Sequence, residues 1–224
     1  MDIVIPYKLD TSGIELRYAL RSIDKYLTGY KNIWIIGDNP KWCTNLSHIS
    51  QRDEPGRKEY SIVTKILAAC YHPYVSQKFI MWHDDHFLLR PFHVDEMKYW
   101  YNTTMQEEYD RQTKGYKNVV GNTIEMGAAL NFDIHVPIVF DKTLFAETFK
   151  GVTKEVCVKS LYCSRAGVAP EHMSDCKLNF PYTYDQVKSK IDGRLFFSTG
   201  LYGITDDMVR VFEELYPGQS HYEK

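Results

Sequence analysis

The sequence predicts an α/β fold: a Rossmann-type, mostly parallel sheet flanked by helices in a single domain. Three short apolar segments are typical of buried strands, and two amphipathic segments between them are typical of helices. Strands that alternate with helices through short links favour a parallel sheet, whose ligands bind beyond the carboxyl ends of the strands. A length of 224 residues suits one domain, which we expect to span 1–224.

The first half of the chain alternates regularly between the two kinds of element. Asp2–Pro6 is a predicted strand, and Ile14–Leu27 has apolar residues at helical spacing, with Thr11 or Ser12 as its N-cap. The elements that follow are a strand, a helix and a strand, in that order: Asn32–Ile36, Ser61–Tyr71 and Phe79–Trp82.

The second half is less regular. A tyrosine-rich segment from Val94 to about Arg111 predicts a helix. Alternation in the latter half of Ala128–Pro137 predicts a strand that presents Asp133 and His135 on one face. The last predicted elements are a helix, a loop and a closing helix: Lys142–Lys159, Phe196–Gly200 and Met208–Tyr216.

Composition excludes several classes of protein. The 27 Lys+Arg against 29 Asp+Glu give a formal net charge of −2, so no global field recruits nucleic acid or acidic lipid, and only a local basic face stays open. Five scattered cysteines and the lack of a leader before the first strand indicate a reduced, cytoplasmic protein. No apolar run approaches the roughly 20 residues of a transmembrane segment.

Two adjacent carboxylates interrupt an apolar run. Asp84 and Asp85, flanked by His83 and His86, follow a predicted buried strand. Buried carboxylates are costly unless they are paired, hydrogen-bonded or bound to a cation. Such acids beside imidazoles at a strand end suit Mg²⁺ or Mn²⁺ holding a diphosphate. The alternative is that the acids cap the next turn and the histidines bond to backbone.

Polar residues follow all three predicted strands of the first half. They are Tyr7 and Lys8, then Asp38 and Asn39, then 83–86. Because the carboxyl ends of parallel strands meet at one edge of a sheet, this convergence predicts a binding site there.

Four segments resemble a known family. Glu15–Tyr26 resembles the "ELRYSLRSIEKY" segment of Stealth-type sugar-phosphate transferases, and Ile33–Trp42 resembles their "IYIVTDGQIPSW". Asp84–Leu88 is similar to their "NDDVFL" and His135–Pro137 to "HMP". The paired acids at a strand end also resemble the DxD element of GT-A glycosyltransferases. The opening Ile5–Lys8 is closer to the "VIPxYN" of ordinary glycosyltransferases, which favours simple glycosyl transfer.

The resemblance implies a GT-A-like fold and a metal-dependent glycosyltransferase that uses a nucleotide-sugar donor and Mn²⁺ or Mg²⁺. Residues 1–90 would form the nucleotide-sugar-binding half and 91–224 the acceptor-side half. The acceptor would be a glycan, a protein or a modified DNA base. The alternatives are a sugar-phosphate transferase of the Stealth type and a non-catalytic nucleotide-binding protein.

The resemblance also implies roles for individual residues. Metal ligands would come from Asp84, Asp85, His86 and His172. Residues that would contact the nucleotide or its phosphates are Pro6, Tyr7, Lys8, Arg17, Arg21, Asp38, Lys65 and Asp84.

For two of these roles an alternative stays open. Arg17 and Arg21 share one helical face, so they could instead be solvated or paired with Glu15 and Asp24. Asp133 or His135 would be the catalytic base of an inverting reaction, although a hydrogen-bonded structural histidine explains His135 equally well.

Overall fold

The structure, a computed structural model, describes residues 1–9, 12–200 and 202–224. Its strands are β1 (Asp2–Tyr7), β2 (Leu27–Thr28), β3 (Ile33–Gly37), β4 (Ser47–Ser50), β5 (Lys78–Met81), β6 (His86–Leu88), β7 (Phe92–His93), β8 (Tyr99–Tyr101), β9 (Thr103–Thr104), β10 (Leu130–Asn131), β11 (Ile138–Asp141), β12 (Pro170–His172), β13 (Lys177–Leu178) and β14 (Phe196–Thr199). Its helices are α1 (Ile14–Tyr26), α2 (Lys58–Tyr71), α3 (Met105–Arg111), α4 (Tyr116–Glu125), α5 (Lys142–Phe149), α6 (Val158–Ala166), α7 (Tyr184–Ile191) and α8 (Asp206–Leu215).

A five-stranded sheet with the order β11-β5-β1-β3-β4 forms the centre of the fold. Four of its strands are parallel, and β11 runs antiparallel to β5. The sheet confirms the predicted strands β1, β3 and β5, and α1 and α2 occupy the predicted crossover segments. Since β1 lies between β3 and β5, the carboxyl ends of all three strands are neighbours.

Both faces of the sheet are buried, which explains the continuous apolar strands. In β1, Ile3 and Ile5 pack on the side of α1 and Val4 packs on the side of α2. The same alternation continues in β5, where Ile80 faces the first side and Phe79 the second.

A smaller three-stranded sheet, β13-β14-β6, holds the chain that leaves β5. Strand β6 pairs antiparallel with β14, and β14 pairs parallel with β13. The turn between β5 and β6, which contains Asp84 and Asp85, is therefore fixed by one sheet on each side.

Several predictions for the second half were wrong. The segment from Val94 to Arg111 contains a 3₁₀ turn, β8 and β9 before the short helix α3. The predicted strand around Asp133 and His135 is absent: β10 ends at Asn131, and residues 132–137 form a loop before β11. The segment Lys142–Lys159 is α5, a connecting loop and the start of α6, and Phe196–Thr199 is strand β14 and not a loop. The closing helix is confirmed as α8.

The start of α1 differs from the expected cap. Thr11 lies outside the described residues, and Ser12 precedes the actual N-cap, Gly13. The Ser12 Oγ accepts a hydrogen bond from Ile14 N at 3.3 Å.

No helix in the described part of the chain has the length and apolar character needed to cross a bilayer. The five cysteines are free thiols.

Candidate functional site

The carboxyl ends of β1, β3 and β5 are joined by hydrogen bonds. Tyr7 O accepts from Asp38 N (3.3 Å), and Trp82 N donates to Val4 O (2.9 Å). Gly37 ends β3 with φ of 128°, and a Cβ there would lie 2.1 Å from Tyr7 O. The strand ends therefore converge as the sequence predicts, and glycine permits their close approach.

Asp84 and Asp85 occupy the tip of a tight turn. His86 N donates to His83 O at 3.2 Å and closes the turn. Behind it, the indole nitrogen of Trp82 donates to His86 O (2.9 Å), and Thr199 N donates to Asp85 O (3.4 Å). A rigid backbone thus presents both carboxylates at the edge of the sheet.

Among the described residues, one group has the geometry to hold a metal ion: His83, Asp84 and Asp85. One potential ligand atom from each lies within 4.8 Å of the others, and all three residues are half-buried. Burial lowers the pKa of His83 well below its usual value, with Lys159 and Lys58 lowering it further, so the imidazole is neutral and can bind a metal. Two carboxylates and an imidazole fit Mn²⁺ better than Mg²⁺, which prefers oxygen alone.

The predicted metal ligands therefore divide into two sets. Asp84 and Asp85 belong to this group, whereas His86 and His172 do not. His86 is buried, with Nε2 3.7 Å from Asp85 Oδ1, and burial lowers its pKa well below the usual value. His172 is exposed on β12, where its ring packs against Tyr101. Their roles as ligands stay predictions.

A chain of three charged or polar side chains from the second half reaches Asp85. Asp175 Oδ2 lies 2.6 Å from His135 Nδ1, and His135 Nε2 lies 2.8 Å from Lys177 Nζ, which is 3.9 Å from Asp85 Oδ2. Because an ammonium can only donate, His135 Nε2 accepts from Lys177 and Nδ1–H donates to Asp175. Burial opposes the charge on Asp175, but the hydrogen bonds from His135 outweigh burial and lower its pKa.

Asp133 has a structural function at the start of α6. Its carboxylate accepts hydrogen bonds from Lys159 N (3.1 Å), Ser160 N (2.8 Å) and Ser160 Oγ (2.6 Å). The Lys159 ammonium is buried and donates to Ile134 O and Val136 O at 2.6 and 2.7 Å, which fixes the segment around His135. The catalytic role of Asp133 stays a prediction, with its oxygens engaged by α6.

The predicted phosphate-binding cations have protein partners. Lys65 is buried, donates to Tyr7 O (2.8 Å) and lies 2.5 Å from Asp53 Oδ1. Arg17 and Arg21 bind the buried carboxylate of Glu223, with closest distances of 2.6 and 2.7 Å. The alternative that Arg17 and Arg21 pair with the α1 acids Glu15 and Asp24 is therefore wrong. Contact of the three cations with phosphate stays a prediction.

The remaining predicted donor-site residues lie at the strand ends. Pro6 and Tyr7 are buried in β1, whereas Lys8 and Asp38 are exposed just beyond β1 and β3. The Asp38 Oδ2 accepts from Leu9 N at 2.8 Å, which ties the two segments together.

A half-buried carboxyl, that of Glu59, interacts electrostatically with Asp133 and Glu155. Glu59 is in the first turn of α2, where its N–H donates to Glu155 Oε1 at 3.1 Å. Burial raises the pKa of Glu59 to about 7, and Asp133 and Glu155 also raise it. Lys58, the preceding residue, acts on the pKa of His83, so the start of α2 lies within electrostatic reach of the turn.

Sequence reasoning did not single out four residues of the candidate site: His83 as a potential metal ligand, Asp175, Lys177 and Glu59. For His83 the signal was present in its position beside the two acids. The other three reach the site only through folding, and no local pattern distinguishes them from ordinary surface charges.

Solved structures that share the fold of this chain include two of one galactosyltransferase. One is the galactosyltransferase LgtC in complex with donor and acceptor sugar analogs, with a TM-score of 0.55 and 15% identity over 98% of this chain and 96% of that chain. The other is an active-site mutant of LgtC, with a TM-score of 0.52 and 12% identity over 96% and 95%. No protein-family model and no curated protein matches the sequence. The likeness confirms the predicted GT-A-like α/β fold.

Proposed function

We propose that this chain is a metal-dependent glycosyltransferase that moves a sugar from a nucleotide-sugar donor to an acceptor. The observation that carries the proposal is the cluster of His83, Asp84 and Asp85 at the carboxyl end of β5, in a fold shared with a galactosyltransferase. In open α/β sheets, ligands bind at this edge. The cytoplasmic location stays a prediction.

The donor would bind along the ends of β1, β3 and β5. Asp84, Asp85 and His83 would hold the cation, which supplies positive charge to stabilise the departing diphosphate. Lys8 and Asp38 are exposed where the nucleotide would lie. The buried positions of Pro6 and Tyr7 suit a backbone contribution to that surface.

The acceptor would approach from the side of His135, Asp175 and Lys177. Asp175 holds the Nδ1 proton of His135, which orients Nε2 toward Lys177. Once Lys177 moves away, Nε2 is the atom that would accept the acceptor's proton. Lys177 places one positive charge beside Asp85, where negative charge develops on the leaving group.

A thermal-shift screen of nucleotide sugars with and without Mn²⁺ tests donor binding, because a ligand that binds only the folded state raises the melting temperature. A metal-dependent shift with at least one donor supports the proposal. Asp85→Asn should abolish this shift and cut turnover by about 10²-fold or more. The exposed Asp95→Asn is the matched control. Normal turnover in Asp85→Asn would exclude the metal assignment.

Two alternatives give different products. A sugar-phosphate transferase of the Stealth type would release a nucleoside monophosphate, whereas a glycosyltransferase releases the diphosphate. A non-catalytic nucleotide-binding protein would leave the donor intact after long incubation with metal. Chromatography of the nucleotide products separates the three cases. Glycan, protein and modified DNA base all stay open as acceptors.

A further inference from the structure

Two fully buried polar side chains face each other behind the Asp84-Asp85 turn. His86 in β6 and Ser198 in β14 are direct cross-strand partners, so their side chains lie on the same face of the small sheet. The two residues are 1% and 0% exposed. Within the described residues, His86 Nδ1 and Ser198 Oγ have no hydrogen-bond partner.

Buried polar atoms in native proteins almost always have a partner, which is either protein or an ordered water. Directly opposed residues in an antiparallel pair have Cβ atoms about 4.5–5.5 Å apart. That spacing admits a direct hydrogen bond after a small side-chain rotation, or one bridging water. His86 Nδ1 and Ser198 Oγ are therefore each other's natural partners.

The other nitrogen of His86 determines the direction of the hydrogen bonds. Nε2 lies 3.7 Å from Asp85 Oδ1, an ion-pair distance that is longer than a hydrogen bond. A neutral imidazole has one N–H and one lone pair. A lone pair on Nε2 would face the carboxylate of Asp85 and repel it. A proton on Nε2 is attracted to the carboxylate, and it leaves Nδ1 free to accept from the Ser198 hydroxyl.

We propose that Ser198, His86 and Asp85 form a positioning relay for the cation site. The Ser198 hydroxyl donates to His86 Nδ1, directly or through one water, and His86 Nε2–H is directed at Asp85 Oδ1. His86 thereby acts as a positioning residue behind Asp85 and not as a metal ligand. The cation belongs to the proposed function, whereas the tautomer of His86 does not depend on it.

The relay contains the same residue types as a hydrolase triad, but burial excludes that function. Ser198 is 0% exposed, so no substrate reaches its Oγ and it cannot act as a nucleophile. The exposed member is Asp85, whose side chain is 22% accessible and whose Oδ2 points toward Lys177. One oxygen thus lies next to His86, while the other lies next to Lys177. Such outer contacts to a metal ligand typically change affinity by about 10- to 100-fold.

Nitrogen NMR of ¹⁵N-histidine-labelled protein tests the tautomer at fixed pH, in the free protein and with Mg²⁺, which is diamagnetic. The His86→Gln variant assigns the resonances by their loss. We expect a protonated Nε2 and an unprotonated Nδ1 in both samples. A proton on Nδ1, or a change of Nε2 to a metal-bound resonance, would overturn the relay. Absence of glycosyl transfer would overturn only the proposed function.

Metal affinity gives a second measurement that does not depend on turnover. Calorimetry should find that Ser198→Ala binds Mn²⁺ about 10-fold more weakly than the wild type, while Ser198→Thr, which keeps the hydroxyl, stays within about 3-fold. Ser164→Ala, whose hydroxyl bonds to Leu161 O within α6, is the matched control. Wild-type affinity in a folded Ser198→Ala would contradict the proposal. If that variant fails to fold, the tautomer of the wild type decides.

Discussion

The pKa of Glu59 makes the stability of the protein depend on pH in a direction opposite to that of most carboxylates. Burial, with Asp133 and Glu155 nearby, raises this pKa from 4.5 to about 7. Between these pH values the folded protein keeps a proton that the unfolded chain has released. The free energy of unfolding therefore falls as the pH rises through this window. At 1.36 kcal/mol per pH unit, the penalty above pH 7 is about 3 kcal/mol.

Glu59→Gln keeps the size of the side chain and removes its charge. We expect the variant to be more stable than the wild type by up to about 3 kcal/mol near pH 8. Near pH 4.5 the two proteins should have nearly the same stability, because the folded wild type is then already neutral at this position. Urea unfolding at several pH values measures the difference, provided that the slope against urea is unchanged.

A surface carboxylate provides the control. Glu125 pairs with Lys154 at the surface, and its side chain is 68% exposed. Glu125→Gln should change stability by less than about 0.5 kcal/mol at every pH, since surface pairs contribute little. A difference between Glu59→Gln and wild type that stays constant from acidic to alkaline pH would refute the argument that burial sets this pKa.

Three further substitutions test the other charged contacts. Lys65→Met should lower the free energy of unfolding, measured by urea unfolding, by about 3 kcal/mol, because it leaves Asp53 unpaired. Unchanged stability together with weaker nucleotide binding would instead favour a contact between Lys65 and the donor. Glu223→Gln should lower the free energy of unfolding by about 3 kcal/mol near neutral pH. Because the pKa of Glu223 is lowered to about 2, the stabilisation by its carboxylate is complete above pH 4.5 and is lost as the pH falls toward 2. An equal loss of stability in the variant at pH 2 would contradict this argument. His135→Ala should lower kcat by about 10²- to 10⁴-fold in steady-state assays while donor affinity stays constant; weakened donor binding would move His135 to the donor side.

The parts of the fold that the sequence predicts are those with long, uniform signals. β1, β3 and β5 are buried on both faces, so each is a run of apolar residues ended by a turn. Helix α1 is amphipathic over thirteen residues. In these segments local pattern and tertiary environment agree, and the predicted and observed bounds differ by at most one residue.

The errors lie where elements are too short for periodicity to appear. β8 and β9 have three and two residues, so the tyrosine-rich sequence around them is compatible with a helix. The segment around Asp133, in which apolar and polar residues alternate, is a loop. In this loop Asp133 N donates to the Asn131 side chain, and Val136 N donates to Ile134 O. Tertiary contacts determine these conformations, and the local sequence does not.

The site divides in the same way. Asp84 and Asp85 are apparent from the sequence because a strand signal leads directly to them. The partners of Arg17 and Arg21 are not apparent, because Glu223 lies about 200 positions away and reaches α1 only when the chain end folds back. A helical pattern predicts partners that are three or four residues apart, and it contains no information on partners that are distant in the sequence.

Lys177 connects the two halves of the proposed site and constrains the order of events there. Its ammonium occupies the lone pair of His135 Nε2, so His135 cannot accept a proton until Lys177 moves. A cation on Asp85 would repel this ammonium, and the diphosphate of a donor would attract it. Metal and donor binding would thus free Nε2 before an acceptor uses it. We expect ordered kinetics, with donor before acceptor, in product-inhibition measurements. In Lys177→Met the order should relax, because nothing then occupies Nε2; random order in the wild type would show that Lys177 does not control His135.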